Sequence, residues 1–192
     1  MLVTLIGAVH RPGVYEIEIG QPVGEILALA GGPAAPLGAL LIGGYFGTWA
    51  DPETAWPLPF SAAGLSAVGA SPGAGLIAAL PADACGLAET ARVARYLAGE
   101  SAGQCGPCVF GLDAIAGALE DLATGRSYRP GLLRRWMGQV DGRGACHHPD
   151  GAVRLIRSAL RVFGVEIDRH AQGWCCGSRR PGVLPVPPRR QP

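Results

Sequence analysis

Cys105-Gly106-Pro107-Cys108 is the sharpest chemical motif in the chain. Two thiols at this spacing can grip one metal ion or cluster, and the Gly-Pro between them makes the tight turn that aims both sulfurs the same way. Cys146 follows after 37 intervening residues, within Gly144-Ala145-Cys146-His147-His148. If the segments between them fold back as an antiparallel helix pair, Cys146 returns beside the first two thiols. Each thiol site lies at a loop-to-helix boundary, where free backbone N–H groups and the positive end of the helix dipole stabilise thiolates and anionic clusters. Spacing alone leaves several chemistries open. Zinc in a Cys₃His set could use Cys105, Cys108, Cys146 and His147 or His148. An iron–sulfur cluster, a redox dithiol outside the usual βαβ setting, and thiols that are merely buried complete the alternatives. The other histidines, His10 and His170, have no partner visible in the sequence, and no nucleophilic triad leaves a signature.

The elements that must position these thiols fall into two halves. Leu2 to Ala8 reads as a strand, His10-Arg11-Pro12-Gly13 as a turn, and Val14 to Ile19 as the alternating return strand of a hairpin. Gln21 to Ala30 has helical spacing through Val23, Ile26, Leu27 and Ala30, and Gly31-Gly32-Pro33 stops it. Leu40 to Phe46 and Gly75 to Leu80 read as strands, separated by a loop over 48–72 with one helical turn near Ser61 to Leu65. That order makes a small α+β sheet with its helix on one face. Beyond Pro81 the periodicity turns helical. Leu87 to Leu97, Phe110 to Leu122, Leu132 to Val140 and Val153 to Phe163 predict a four-helix unit. The expected division is a domain over 1–84, a helical domain over 85–167, and an Arg- and Pro-rich flexible tail over 168–192.

Composition agrees with this division. Gly and Pro supply 47 of 192 residues, yet hydrophobic residues make up 48%, enough to build a core and exclude general disorder. All 16 basic residues are Arg, a bias best read as that of a GC-rich genome. The net charge of +1 excludes the strongly basic footprint of a nucleic-acid binder. It hides an asymmetry. Residues 1–84 carry one Arg against six acids, whereas residues 85–192 carry fifteen Arg against nine acids. Apolar runs are too interrupted for a membrane span, and the start has no secretory pattern. A cytoplasmic address is expected, where six cysteines read as ligands or buried thiols before disulfides.

Glu100-Ser101-Ala102-Gly103-Gln104-Cys105-Gly106-Pro107-Cys108 resembles the E-S-C-G-x-C-x-P-C segment of the NADH-binding flavoprotein subunit of respiratory complex I. Related subunits of NAD-linked hydrogenases and formate dehydrogenases share that segment. Gly7-Ala8-Val9-His10-Arg11-Pro12-Gly13-Val14-Tyr15-Glu16 is similar to the opening of the family's soluble-ligand-binding (SLBB) domain, and Gly73 to Ile77 to its closing strand. The resemblance implies a ubiquitin-like β-grasp domain followed by a helical iron–sulfur-binding domain. It implies a [4Fe–4S] cluster on Cys105, Cys108 and Cys146, and a non-ligand role for Cys85. Two departures stand out. The family's first cluster cysteine is Ala102 here, so one iron would be open to Ser101, Glu100, His147, Cys175 or Cys176, or the cluster would settle as [3Fe–4S] or be lost. No Gly-rich phosphate loop links a strand to a helix, so neither FMN nor NAD is expected, nor NADH oxidation by the chain alone. The expected function is electron transfer as a component of an oxidoreductase system, between a ferredoxin-like or flavoprotein donor and acceptor. Arg92, Arg95, Arg134, Arg135 and Arg143 would attract an acidic partner if they lie near the cluster. The alternative is a non-redox binding or scaffold module, cluster-free or with structural zinc.

Overall fold

The computed structural model describes residues 1–127, 129–173 and 182–187. Val3 and Leu5 alternate with outward-facing neighbours along β1 (Leu2–Gly7), which turns back into β2 (Gly13–Glu16) with Val3 opposite Tyr15. Gly7 sits at φ +84, and any Cβ there would collide with the carbonyl of Ala79. The glycine is thus required both by its backbone angle and by the close passage of a neighbouring strand. Helix α1 (Val23–Leu29) follows. Its Val23, Ile26 and Leu27 are fully buried against Val3, Leu5, Leu40, Ile42 and Ile77. Each such side chain contributes about 1.5–3 kcal/mol of burial, which secures a helix too short to persist alone.

Strand β3 (Leu37–Ile42) and β5 (Leu76–Pro81) complete the centre of the sheet, and β4 (Thr48–Ala50) lies at one edge. The strand order is β2-β1-β5-β3-β4, with β1 and β5 parallel and the remaining pairs antiparallel. This is the mixed five-stranded sheet of a β-grasp, and it carries α1 on one face as the sequence predicts.

The segment over 48–72 departs from the expected loop. Besides β4 it forms α2 (Pro52–Ala55), capped by the Asp51 carboxylate accepting from Thr54 N–H at 2.9 Å. It also forms α3 (Ala62–Leu65), capped by Ser61. Short polar caps before brief apolar turns and the fully buried Trp49 account for this order in a stretch whose composition reads as loop.

The second compact unit begins at Cys85. It contains α4 (Gly86–Gly99), a π-helical segment (Pro107–Leu112) continuous with α5 (Asp113–Ala123), α6 (Pro130–Val140) and α7 (His148–Val162). These are the four expected helices. A fifth, α8 (Gly164–Ala171), extends the order beyond the residue 167 boundary read from sequence. Phe163 takes the break after α7, and the chain re-enters helix at once. Of the Arg- and Pro-rich segment, residues 182–187 are described, and Leu184 among them is buried. No helix among the described residues is long and apolar enough to cross a membrane.

Candidate metal centre

Cys105 precedes the first turn of the π-helical segment, and its carbonyl accepts from both Cys108 N–H (3.1 Å) and Val109 N–H (3.0 Å). Pro107 occupies that first turn, where its missing N–H costs no helical hydrogen bond. The widened π geometry, frequent at functional sites, runs from Pro107 to Leu112 before α5 begins. Gly111 faces Val140 so closely that a Cβ would strike that side chain, which brings the end of α6 against this segment. Cys105 is half-buried, Cys108 buried and Cys146 exposed.

The thiols of Cys105 and Cys108 lie close enough to shift each other's titration. The backbone N–H groups of Ala145 and then Cys108 hold the Cys105 thiol below the usual cysteine value. Burial, and then the neighbouring Cys105, push the Cys108 thiol up to about 11, with a smaller contribution from the Cys146 charge. The loop carrying Ala145 and Cys146 therefore lies against the Cys-x-x-Cys turn, as the antiparallel return requires.

That loop is held on both sides of Cys146. Gly142 N–H donates to Asp150 at 2.8 Å, and His147 Nδ1 lies 3.1 Å from the same carboxylate. The Gly142 N–H and then His147 keep the Asp150 carboxyl below its ordinary value. Gly144 fits where a Cβ would meet Pro149 and the Cys146 carbonyl. At the start of α7, His148 Nε2 is 2.8 Å from the Leu97 carbonyl of α4.

The residues considered for a fourth position are dispersed. Glu100 is exposed at the end of α4, and its N–H donates to the Tyr96 carbonyl. Ser101 and Glu100 border a groove of about 520 Å³ with Arg95, Tyr96 and Asp113. His147 is fully exposed and engaged with Asp150, Ala102 is exposed, and Cys175 and Cys176 lie outside the described residues. Among the described residues, no three His, Cys, Asp or Glu side chains are arranged to hold a metal ion as a closed set. The donor chemistry nonetheless fits three corners of an iron–sulfur cluster. Cys105 and Cys108 shift each other's titration, the Cys146 charge acts on Cys108, and backbone N–H groups favour the thiolate at Cys105.

Two of the arginines that would attract an acidic partner if near the cluster are engaged in ion pairs. Arg92 pairs with the buried Glu89, and Arg95 joins α4 to α5 through Glu120 (2.7 Å) and Asp113. Arg134, Arg135 and Arg143 are exposed. Sequence reading also missed the partner of His170. This buried imidazole lies 3.5 Å from the Cys85 sulfur, while Glu166 accepts from Gly86 and Leu87 N–H at 3.3 and 3.1 Å. Helix α8 thereby caps α4 from more than seventy residues away, and no local pattern could announce it.

Comparison with known proteins agrees with both halves. Residues 88–170 match the NADH-ubiquinone oxidoreductase-F iron-sulfur binding region, and residues 2–53 match the SLBB domain. The F subunit of NADH-quinone oxidoreductase from Streptomyces coelicolor is 28% identical over 180 residues, covering 91% of this chain and 40% of that protein. Its Mycobacterium tuberculosis counterpart is 29% identical over 188 residues, with the same coverage. The chain thus spans about 40% of the length of these relatives. The crystal structure of an NAD⁺-reducing [NiFe]-hydrogenase in the H₂-reduced state superposes with a TM-score of 0.78 at 25% identity, covering 88% of this chain and 29% of that one. The air-oxidized state gives 0.76 at 26%. With sheet, helical unit and thiol motif in the same order, the chain carries an SLBB domain and an NADH-ubiquinone oxidoreductase-F iron–sulfur binding region, and over 91% of its length it is similar to the F subunit of NADH-quinone oxidoreductase.

Proposed function

We propose that this chain is an electron-transfer component that holds one iron–sulfur cluster, [4Fe–4S] or [3Fe–4S], on Cys105, Cys108 and Cys146. It would relay electrons between partner redox proteins. The observation that carries this reading is the meeting of the Cys105–Cys108 pair with the Ala145-Cys146 loop, inside a region matching an iron–sulfur-binding family. When bound, the cluster supplies one-electron acceptance and release. The chain's own residues do the rest. Ala145 and Cys108 N–H groups stabilise negative charge on the Cys105 sulfur, which favours a reduced cluster and a higher potential. Burial of Cys108 keeps water from one side, while exposed Cys146 marks the side open to a partner. Ala102, where the family has a cysteine, leaves the fourth corner without a thiolate from that position. Flavin and nicotinamide binding form no part of this reading.

One observation favours a second reading, a structural zinc in a scaffold module. His147 directs Nδ1 to Asp150, the carboxylate–histidine arrangement that commonly orients an imidazole toward zinc, and with the three thiols it completes a Cys₃His set. Anaerobic purification followed by iron, acid-labile sulfide and zinc analysis separates the two. Iron and sulfide in near-equal amounts with little zinc are expected. About one zinc per chain without iron would establish the second reading instead.

A further inference from the structure

Strand β2 is an open edge of the sheet. Met1 and Ile17 exchange two hydrogen bonds, Met1 N to Ile17 O at 2.7 Å and Ile17 N to Met1 O at 2.9 Å. Hydrogen-bonded and non-hydrogen-bonded pairs alternate along an antiparallel ladder. From the register, Val3–Tyr15 and Leu5–Gly13 are then the bonded pairs, and the N–H and C=O groups of Val14 and Glu16 face away from β1. Val14 is 62% exposed and Glu16 is exposed too. The opposite edge, β4, is only three residues long and wholly buried. Sheets ordinarily shield a free edge with bulges, prolines, charged side chains or covering segments; among the described residues β2 carries no bulge or proline and is marked by the charge of Glu16.

The surface beside this edge is acidic and partly apolar. Glu16, Glu18, Ile19, Glu25 and Leu29 line a shallow groove of about 720 Å³ between β2 and α1. Ile19 is 75% exposed. Among the described residues the three glutamates form no ion pair. We propose that this edge and groove are a docking site for an extended, basic segment of a partner protein, which adds as a sixth strand beside β2. Val14 and Glu16 would supply the main-chain ladder, Glu16, Glu18 and Glu25 the attraction for Arg or Lys, and Ile19 and Leu29 the contact for an apolar side chain.

Charge complementarity decides the occupant. A second copy pairing through β2 would bring Glu16 and Glu18 up to an edge that carries the same acids, an unfavourable like-charge approach. The chain's own basic tail residues, Arg179, Arg180, Arg189 and Arg190, are interspersed with Pro181, Pro187 and Pro188, and proline cannot donate to a ladder. A lysine- or arginine-bearing strand from another protein meets neither obstacle.

The test uses the full chain and an end-blocked hexapeptide of alternating Arg and Val, followed by fluorescence anisotropy and amide hydrogen exchange. Saturating peptide should slow exchange at the Val14 and Glu16 amides. Binding should weaken about tenfold with Val14→Pro, which removes an outward N–H but none of the bonds to β1. The paired change Glu16→Gln with Glu18→Gln should weaken binding and flatten its salt dependence. Unchanged exchange at Val14 and Glu16, or equally tight binding of a Glu-Val peptide, overturns the proposal. So does sedimentation showing a dimer that Val14→Pro dissociates. If Val14→Pro fails to fold by circular dichroism, the exchange result on the unaltered protein decides.

Discussion

Cys105 and Cys108 occupy the same turn, yet their surroundings drive their thiols in opposite directions. The Ala145 N–H favours the Cys105 thiolate, and burial disfavours that of Cys108, raised to about 11. In metal-free protein at pH 8, substoichiometric iodoacetamide should therefore label Cys105 well before Cys108, because only thiolate reacts. Raising the pH toward 11 fills the Cys108 thiolate and should narrow the difference, as peptide mass mapping would show. Ala102 carries the other residue-scale prediction. Ala102→Cys restores the family's first cluster cysteine, and the reconstituted protein should keep its visible absorption in air for longer than the unaltered chain. An equal or shorter lifetime would mean that the fourth corner is already closed by another group. Arg143 is exposed three residues before Cys146, whereas Arg92 is paired within α4 and Arg95 is committed to joining α4 to α5.

Helix α4 depends on a residue that lies far from it in sequence. Glu166 of α8 accepts from the Gly86 and Leu87 N–H groups, and Ile167 and His170 bury the same face. Glu166→Ala should lower stability by about 1–2 kcal/mol, the usual consequence of uncapping a helix, read as a lower urea midpoint with an unchanged slope. The extent to which elements were legible follows from the range of the interactions that make them. The hairpin, α1 and the apolar stripes of α4 to α7 rest on local periodicity and turn residues, and they stand where the sequence places them within a few positions. Strand β4 is three residues long and exists through its pairing with β3, so a Pro- and Gly-rich stretch concealed it. Helix α8 and its contact with Cys85 are tertiary, as is the closeness of Ala145 to Cys105. The Cys-x-x-Cys motif itself was plain in the sequence, but the N–H groups that tune it were not.

At the scale of the whole molecule, chemistry and charge are divided between two compact units, Met1–Ala84 and the helices from Cys85 onward. All three candidate thiols, and the groups that shift their titration, lie in the second. A truncated chain beginning at Cys85 should accordingly reconstitute the same iron per chain as the full protein, and a marked loss would show that the first unit helps to retain the cluster. On the two proposals made above, docking would rest on the acidic first unit with its β2 edge and electron transfer on the second. Under the proposed function, three thiols, the last some forty residues from the first two, form one cluster site. Its most direct test is electron paramagnetic resonance of anaerobically reconstituted protein, as prepared and after dithionite reduction. An iron–sulfur signal is expected in the unaltered chain and in Cys85→Ser, and its loss or gross alteration in each of Cys105→Ser, Cys108→Ser and Cys146→Ser. Signals unchanged in all three of those variants would contradict the assignment.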